Sequence, residues 1–239
     1  MGPTASGKTD LALQISEELP CEIISVDSVM IYRGMDIGSA KPSKAVLQRY
    51  PHHLIDILDP SESYSAANFR ADALRLIREI HARKNIALLV GGTMLYFSVL
   101  QRGLSQLPSA NLIIRKKINN MATQKGWEFM HARLGEVDPK SATRIHPNDL
   151  RRIQRALEVY ELTGIPISSW HANSEKSTLP FRALKMALIP EERGLLHQRI
   201  EQRFNRMLDE GFLMEVQSLY QRNDLRSDLP SIRSVGYRQ

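Results

Sequence analysis

Residues 2–9 read GPTASGKT, so Gly2, Gly7, Lys8 and Thr9 fill the pattern G-x-x-x-x-G-K-[S/T]. A glycine-rich turn entering a helix presents backbone amides to an anion, the lysine adds a point charge, and the hydroxyl can ligate Mg²⁺. The chemistry is the holding of a phosphate or diphosphate. In an NTPase, an apolar strand ending in aspartate would complete the site. Here IALLV runs instead into Gly91, Gly92 and Thr93, and the carboxylate-terminated candidates are the strand ending in Asp27 and the short one around Asp56. That weakens ATP hydrolysis as the main activity and leaves diphosphate binding intact. Asp27 has two readings. It could be a turn or capping aspartate, or it could sit at the carboxyl end of a strand, where ligands of open α/β sheets bind. In the second case it could accept a proton from a nucleophile or help hold a metal.

These groups need elements to position them. After the loop, DLALQISEELP places Leu11, Leu13, Ile15 and Leu19 for a short helix that Pro20 stops, and EIISVDS reads as a buried strand. HHLIDIL is a second strand candidate. In SAANFRADALRLIREIHARKN, Phe69, Ala73, Leu76, Ile77 and Ile80 fall at helical spacing behind a capping Ser65, and IALLV is a further strand. From about Pro108 the texture becomes helical and basic. Residues 109–180 carry eleven Lys or Arg against seven Asp or Glu. FRALKMALIP then alternates Leu184, Met186 and Leu188 with Lys185 and Ala187, as a strand would. A long helix follows, with Leu196, Ile200, Phe204 and Leu208 on one stripe, Arg199, Arg203 and Arg206 on another, and Gly211 at its end. The order predicts an α/β, P-loop NTPase-like core with a parallel sheet flanked by helices, plus a mostly helical insertion. The predicted parts are 1–108 and 181–239 for the core and 109–180 for the insertion.

The chain has 239 residues, 42% of them hydrophobic, enough for one large or two small cores. No apolar run approaches the roughly 18–20 residues of a membrane span, and no secretory leader is visible, so a cytoplasmic location is expected. Cys21 is the single cysteine and is expected to be structural. The net charge of +6 makes a polyanion a plausible partner without demanding one. His52 and His53 have no third ligand at a spacing suited to zinc. Trp127, Phe129 and Trp170 are expected to pack within the insertion.

Six stretches together resemble the tRNA dimethylallyltransferase family: GPTASGKT, ISVDSVMIYRGMDIGSAKP, HHLIDILDP, LLVGGTMLY, RIHPNDLRRIQRALEVYELTG and LPSIRSVGYRQ. They cover nearly the whole chain in order. The resemblance implies transfer of a dimethylallyl group from dimethylallyl diphosphate to N6 of adenosine 37, in the anticodon stem-loop of tRNAs reading codons that begin with U. It also implies Mg²⁺ as cofactor, held by Thr9, and a monomeric enzyme. Gly2, Thr4, Ala5, Ser6, Gly7, Lys8 and Thr9 would hold the diphosphate, with Lys8 stabilising the leaving group. Asp27 would receive or orient the N6 proton, and Thr93 would line the channel where the substrates meet. The tRNA contacts implied are Asp27, Ser28, Val29, Met30, Thr93, Arg115, Arg151, Arg152, Ile153, Gln154, Arg155, Ile232, Arg233, Ser234, Val235, Gly236 and Tyr237. For the arginines, spacing alone also fits a solvated charged face.

Members of that family have a strand before the loop and further basic helices after the SVGYRQ stretch. The resemblance therefore implies a truncated form with weakened activity, short of several kcal/mol against a typical total of about 5–15. Two other functions fit part of the sequence: a P-loop small-molecule kinase, which would bind ATP tightly, and a noncatalytic RNA-binding module with a vestigial loop.

Overall fold

The run CEIISV becomes β1 (Cys21–Val26), buried at every residue. A strand covered on both faces reads as continuous apolar sequence, which is the mark of a parallel sheet under helices. β2 (His52–His53) and β3 (Ile86–Gly91) lie on either side of it, both parallel, in the order β2-β1-β3. Cys21 pairs with Ile86 and Val26 with Gly91, so β1 and β3 finish level at their carboxyl ends. The computed structural model describes residues 1–104, 107–173 and 179–239. It forms two units, Met1–Gln101 with Leu179–Gln239, and Arg102–Thr178. The α/β class and the parallel sheet flanked by helices agree with the expectation from sequence.

In the first unit, α1 (Lys8–Glu18) precedes β1, and α2 (Lys44–Arg49) lies between β1 and β2. α3 (Ala66–Ala82) starts at Ser65, whose hydroxyl accepts from the Asn68 amide while the Asn68 side chain accepts from the Ser65 amide. This capping box satisfies two amides that a helix start leaves unpaired. Phe69, Ala73, Leu76, Ile77 and Ile80 are the buried stripe of α3, and they join Ile24 and Val26 of β1 in one core. Each large member gains roughly 1.5–3 kcal/mol over its exposed state. α4 (Met94–Arg102) follows β3 and adds Tyr96, Phe97 and Leu100, with Tyr96 stacked on Phe69 at 4.3 Å.

Among the described residues, the elements of the second unit are all helices: α5 (Leu112–Lys125), α6 (Trp127–Val137), α7 (Pro139–Arg144), α8 (Leu150–Thr163) and α9 (Ile167–Ala172). Ile118, Met130, Leu134, Ile153 and Leu157 form its core, with Trp127 and Trp170 packed against it. Phe129 is not packed inside: it is exposed and carries the Lys125 ammonium 4.7 Å from its ring centre. Residues 174–178 of the sequence-predicted insertion lie outside the described residues.

The first unit resumes with α10 (Arg193–Asp209) and α11 (Phe212–Tyr220), separated by Gly211 in a left-handed conformation. Among the described residues no helix is long and apolar enough to cross a membrane.

Two expectations need correction. HHLIDIL yields a strand only at His52–His53, because Leu54 and Asp56 take φ of 61° and 55° and turn the chain out of the extended region. Segment 181–190 forms no strand, although Met1 donates to the Met186 carbonyl and accepts from the Leu188 amide. The apolar stripe of α10 has no buried residue, and Phe204 and Leu208 on it are exposed.

Candidate functional site

At the carboxyl end of the sheet a cleft of about 1130 Å³ opens. Four stretches distant in sequence wall it, the last being Val90, Gly91 and Gly92 at the end of β3. The first is the loop Gly2–Gly7 with Lys8 and Thr9 of α1, the second runs from Ser25 to Asp56, and the third is Arg199, Arg203 and Arg206 of α10.

Gly7 caps α1 at φ 81°, a value that only glycine adopts without strain, so the loop can turn sharply into the helix. The amides of the first helical turn are thereby left without intrahelical partners and available to an anion. Lys8 folds over the loop: its ammonium donates to the Pro3 carbonyl and lies 3.5 Å from the Ser6 hydroxyl. Desolvation pushes the Lys8 pKa down, Arg203 pushes it further in the same direction, and Asp27 opposes both. Arg203, half-buried, is lowered by desolvation and supported by Asp27. Two cations therefore converge on the phosphate loop, and among the described residues no carboxylate forms an ion pair with either. Such a site relieves its own repulsion by taking up an anion.

Asp27 follows the last residue of β1 directly. Its Oδ1 accepts from the Val29 amide at 2.8 Å and the Met30 amide at 3.3 Å. Asp27 is a turn aspartate, and its turn bonds engage one oxygen while the residue lines the cleft wall. Tyr96 sits close enough to this charge that burial first, then Tyr32 and Asp27, raise its phenol to about 12.

Gly2, Thr4, Ala5, Ser6, Gly7, Lys8, Thr9, Asp27 and Met30 all line the cleft. Ser28, Val29 and Thr93 do not: Ser28 is exposed, Val29 packs on the cluster of Tyr32 and Phe212, and the Thr93 amide is tied to the Val26 carbonyl at 3.2 Å. In the C-terminal stretch Arg233 and Val235 are exposed, Ile232, Ser234 and Gly236 are half-buried, and Tyr237 is buried with its hydroxyl on Glu215. Buried in this way, Tyr237 does not present its hydroxyl to a ligand.

The helical unit treats its cations differently. Arg115 donates to both oxygens of the fully buried Glu158 at 2.9 and 3.2 Å, and Arg155 adds a bond at 2.7 Å. The Asn111 amide completes the set at 2.7 Å. These donors hold the Glu158 carboxyl below its ordinary range although burial opposes them. Arg152 is largely exposed and pairs with Asp149, and the Gln154 amide donates to Asn119. Arg151 is exposed on the first turn of α8. Ile153 is fully buried in the core of the unit, so its expected role in tRNA contact gives way to packing.

The sequence set Arg199, Arg203 and Arg206 on one stripe at i, i+4 and i+7 but gave Arg203 no role in the site, because spacing shows a shared helical face and not what that face meets.

Residues 30–239 match the family model described as IPP transferase. The tRNA dimethylallyltransferase of Thioalkalivibrio sulfidiphilus is 59% identical over 239 residues, covering all of this chain and 75% of that protein. The one from Nitrosococcus oceani is 60% identical, again over the whole chain and 76% of the relative. The full-length tRNA isopentenylpyrophosphate transferase of Bacillus halodurans aligns with TM-score 0.66 at 39% identity, covering 99% of this chain and 73% of that one. A eukaryotic dimethylallyltransferase acting on tRNA aligns with TM-score 0.72 at 30% identity over 92% of this chain and 54% of its own.

Proposed function

The chain belongs to the IPP transferase family of tRNA dimethylallyltransferases, and from that premise we propose how its cleft works: it holds dimethylallyl diphosphate and passes the dimethylallyl group to N6 of adenosine 37 in the anticodon stem-loop of tRNAs that read codons beginning with U. The single observation that supports this most is the convergence of the loop amides, Lys8 and Arg203 on one side of the cleft with the Asp27 carboxylate beside them.

In the reaction, the N6 nitrogen forms a bond to the allylic carbon as the carbon–oxygen bond to diphosphate breaks and its electron pair leaves with pyrophosphate. Negative charge grows on the diphosphate oxygens, where the loop amides, Lys8 and Arg203 stabilise it without reorganising. The adenine amine is a very weak acid, so its proton departs with or after attack. Asp27, with Oδ1 bound to two amides, offers its other oxygen to that proton. The target base leaves its stack to reach the cleft, at a cost of a few kcal/mol that is lowest in a single-stranded loop.

The donor set fits Mg²⁺. Thr9 places an exposed hydroxyl oxygen at the cleft wall, next to the loop that would hold the diphosphate. Mg²⁺ prefers a few protein ligands plus phosphate oxygens and water over an all-protein cage. When bound by Thr9 and the diphosphate it would add positive charge at the leaving oxygens. The chain is taken to act as a monomer in the cytoplasm.

Incubation of the chain with tRNA and labelled dimethylallyl diphosphate should yield prenylated adenosine, and Asp27→Ala should abolish most of it while tRNA affinity persists. Transfer of label from ATP without prenylation, or an Asp27→Ala variant of unchanged rate, would overturn the reading.

A further inference from the structure

The cleft that the phosphate loop lines is also walled by Asp36, Ile37, Ala40, Lys41 and Pro42 of one loop. Three successive amides of this loop converge on one carboxylate. Glu215 Oε2 accepts from Asp36 at 2.7 Å and Ile37 at 2.8 Å, and Oε1 accepts from Gly38 at 3.1 Å. Tyr237 donates its hydroxyl to the same Oε1 at 2.6 Å. Glu215 has no cationic partner among the described residues, so its charge is directed at backbone. Consecutive amides pointing inward form a concave anion site, and here a side chain of the same chain fills it.

The packing around this clamp leaves little slack. A Cβ on Gly38 would lie 2.2 Å from the Phe212 ring and 2.7 Å from that of Tyr237, and the two rings meet edge to face at 5.2 Å. Beyond the clamp, Ser39 donates to the Met35 carbonyl at 2.7 Å and Ala40 is held at φ 50°. The Lys41 side chain, 3% exposed, donates to the Tyr32 carbonyl and pairs with Asp36 and Asp56. A non-glycine residue in the left-handed region persists only where its surroundings over-determine it. The end of this fixed stretch meets the diphosphate site, because the Ser39 carbonyl lies 3.5 Å from the Arg203 guanidinium.

We propose that Glu215 and Tyr237 are positioning residues for the transfer reaction: Glu215, itself held by the Tyr237 hydroxyl, holds the amides of residues 36–38 and so fixes the Ser39 carbonyl, which in turn aims Arg203 at the diphosphate. The inference rests on reading the cleft as a diphosphate site. It gives the buried Tyr237 a function that is not contact with tRNA.

Calorimetric titration of the full chain with inorganic pyrophosphate tests it, using wild type, Lys8→Ala, Arg203→Ala, Glu215→Gln and the double variant Glu215→Gln with Arg203→Ala. Gln would turn an NH₂ towards donors now facing a carboxylate oxygen. Glu215→Gln should weaken pyrophosphate binding by roughly fivefold or more and raise KM for the diphosphate donor by a similar factor, with KM for tRNA within about twofold. The double variant should bind no more weakly than Arg203→Ala alone, because the two act through one guanidinium. Wild-type affinity in Glu215→Gln, additive losses in the double variant, or an equal loss of tRNA binding would overturn the proposal. Pyrophosphate binding indifferent to Lys8→Ala would instead overturn the diphosphate reading, and the proposal with it. Should Glu215→Gln fail to fold, Tyr237→Phe decides, since it keeps the ring and removes one donor. A loss of about threefold, absent on an Arg203→Ala background, supports the positioning role, and an unchanged affinity refutes it.

Discussion

The two units handle positive charge in opposite ways. In the helical unit Arg115 and Arg155 close on Glu158, a carboxylate with no exposed surface, so both cations are directly ion-paired inside the unit. In the unit built on the sheet, Lys8 and Arg203 face a cleft and repel one another, and Asp27 is the carboxylate whose charge supports both. A cluster of direct ion pairs contributes to folding. Cations without an ion-pair partner store an unfavourable charge arrangement that a ligand can relieve, so their removal should register in binding and rate more than in stability.

The comparison is tested most sharply at Lys8. Lys8→Ala should lower kcat/KM for prenyl transfer by about 10²–10³-fold, the usual cost of removing one preorganised donor from a developing anion. Its melting temperature should stay at or slightly above that of wild type, since a repelled charge is lost. A large loss of stability in this variant would erase the contrast.

Glu158→Ala should do the reverse. It strips the partner from two arginines and a backbone amide, and a cost of about 3 kcal/mol is expected in urea unfolding, the lower end for a broken buried pair because both guanidinia are partly exposed. The residual folded enzyme should bind pyrophosphate as wild type does. Weakened pyrophosphate binding there would show that the two charge clusters are not independent.

The smallest effect concerns Glu22, the carboxylate within β1. Glu22 accepts from Arg83, Asn85 and His53, and these bonds, the Arg83 pair foremost, lower its pKa from 4.5 to about 2 against the opposing effect of burial. A depressed carboxyl binds fewer protons folded than unfolded, so its contribution is present above pH 4.5 and is lost as pH falls towards about 2. Acid titration of stability should show this slope in wild type and lose it in Glu22→Gln, with prenyl transfer at neutral pH little changed. If Glu22→Gln left the acid slope intact, the network at this end of the strand would not be a stabilising one.

Much of this was legible in the residues. The α3 stripe and its Ser65 cap are local, set by side chains three or four positions apart, and all five predicted core positions are buried. The loop before α1 is read from four residues in a row of eight. The left-handed turns at Leu54 and Asp56 were not legible, because an apolar pattern carries no information about φ in residues that normally avoid that region. Nor was the exposure of α10, since periodicity shows that a helix has an apolar face and is silent on what covers it.

By itself the sequence determined the phosphate loop, the strand that delivers Asp27 and the family to which the chain belongs, because each is a matter of residue type at short spacing. Only the tertiary structure decided that Arg203 and Lys8 line one cleft, that Glu215 holds residues 36–38 across 177 or more positions, and that Tyr237 is turned inward. Those pairings depend on how distant segments pack, and no local propensity encodes which charge will find which backbone.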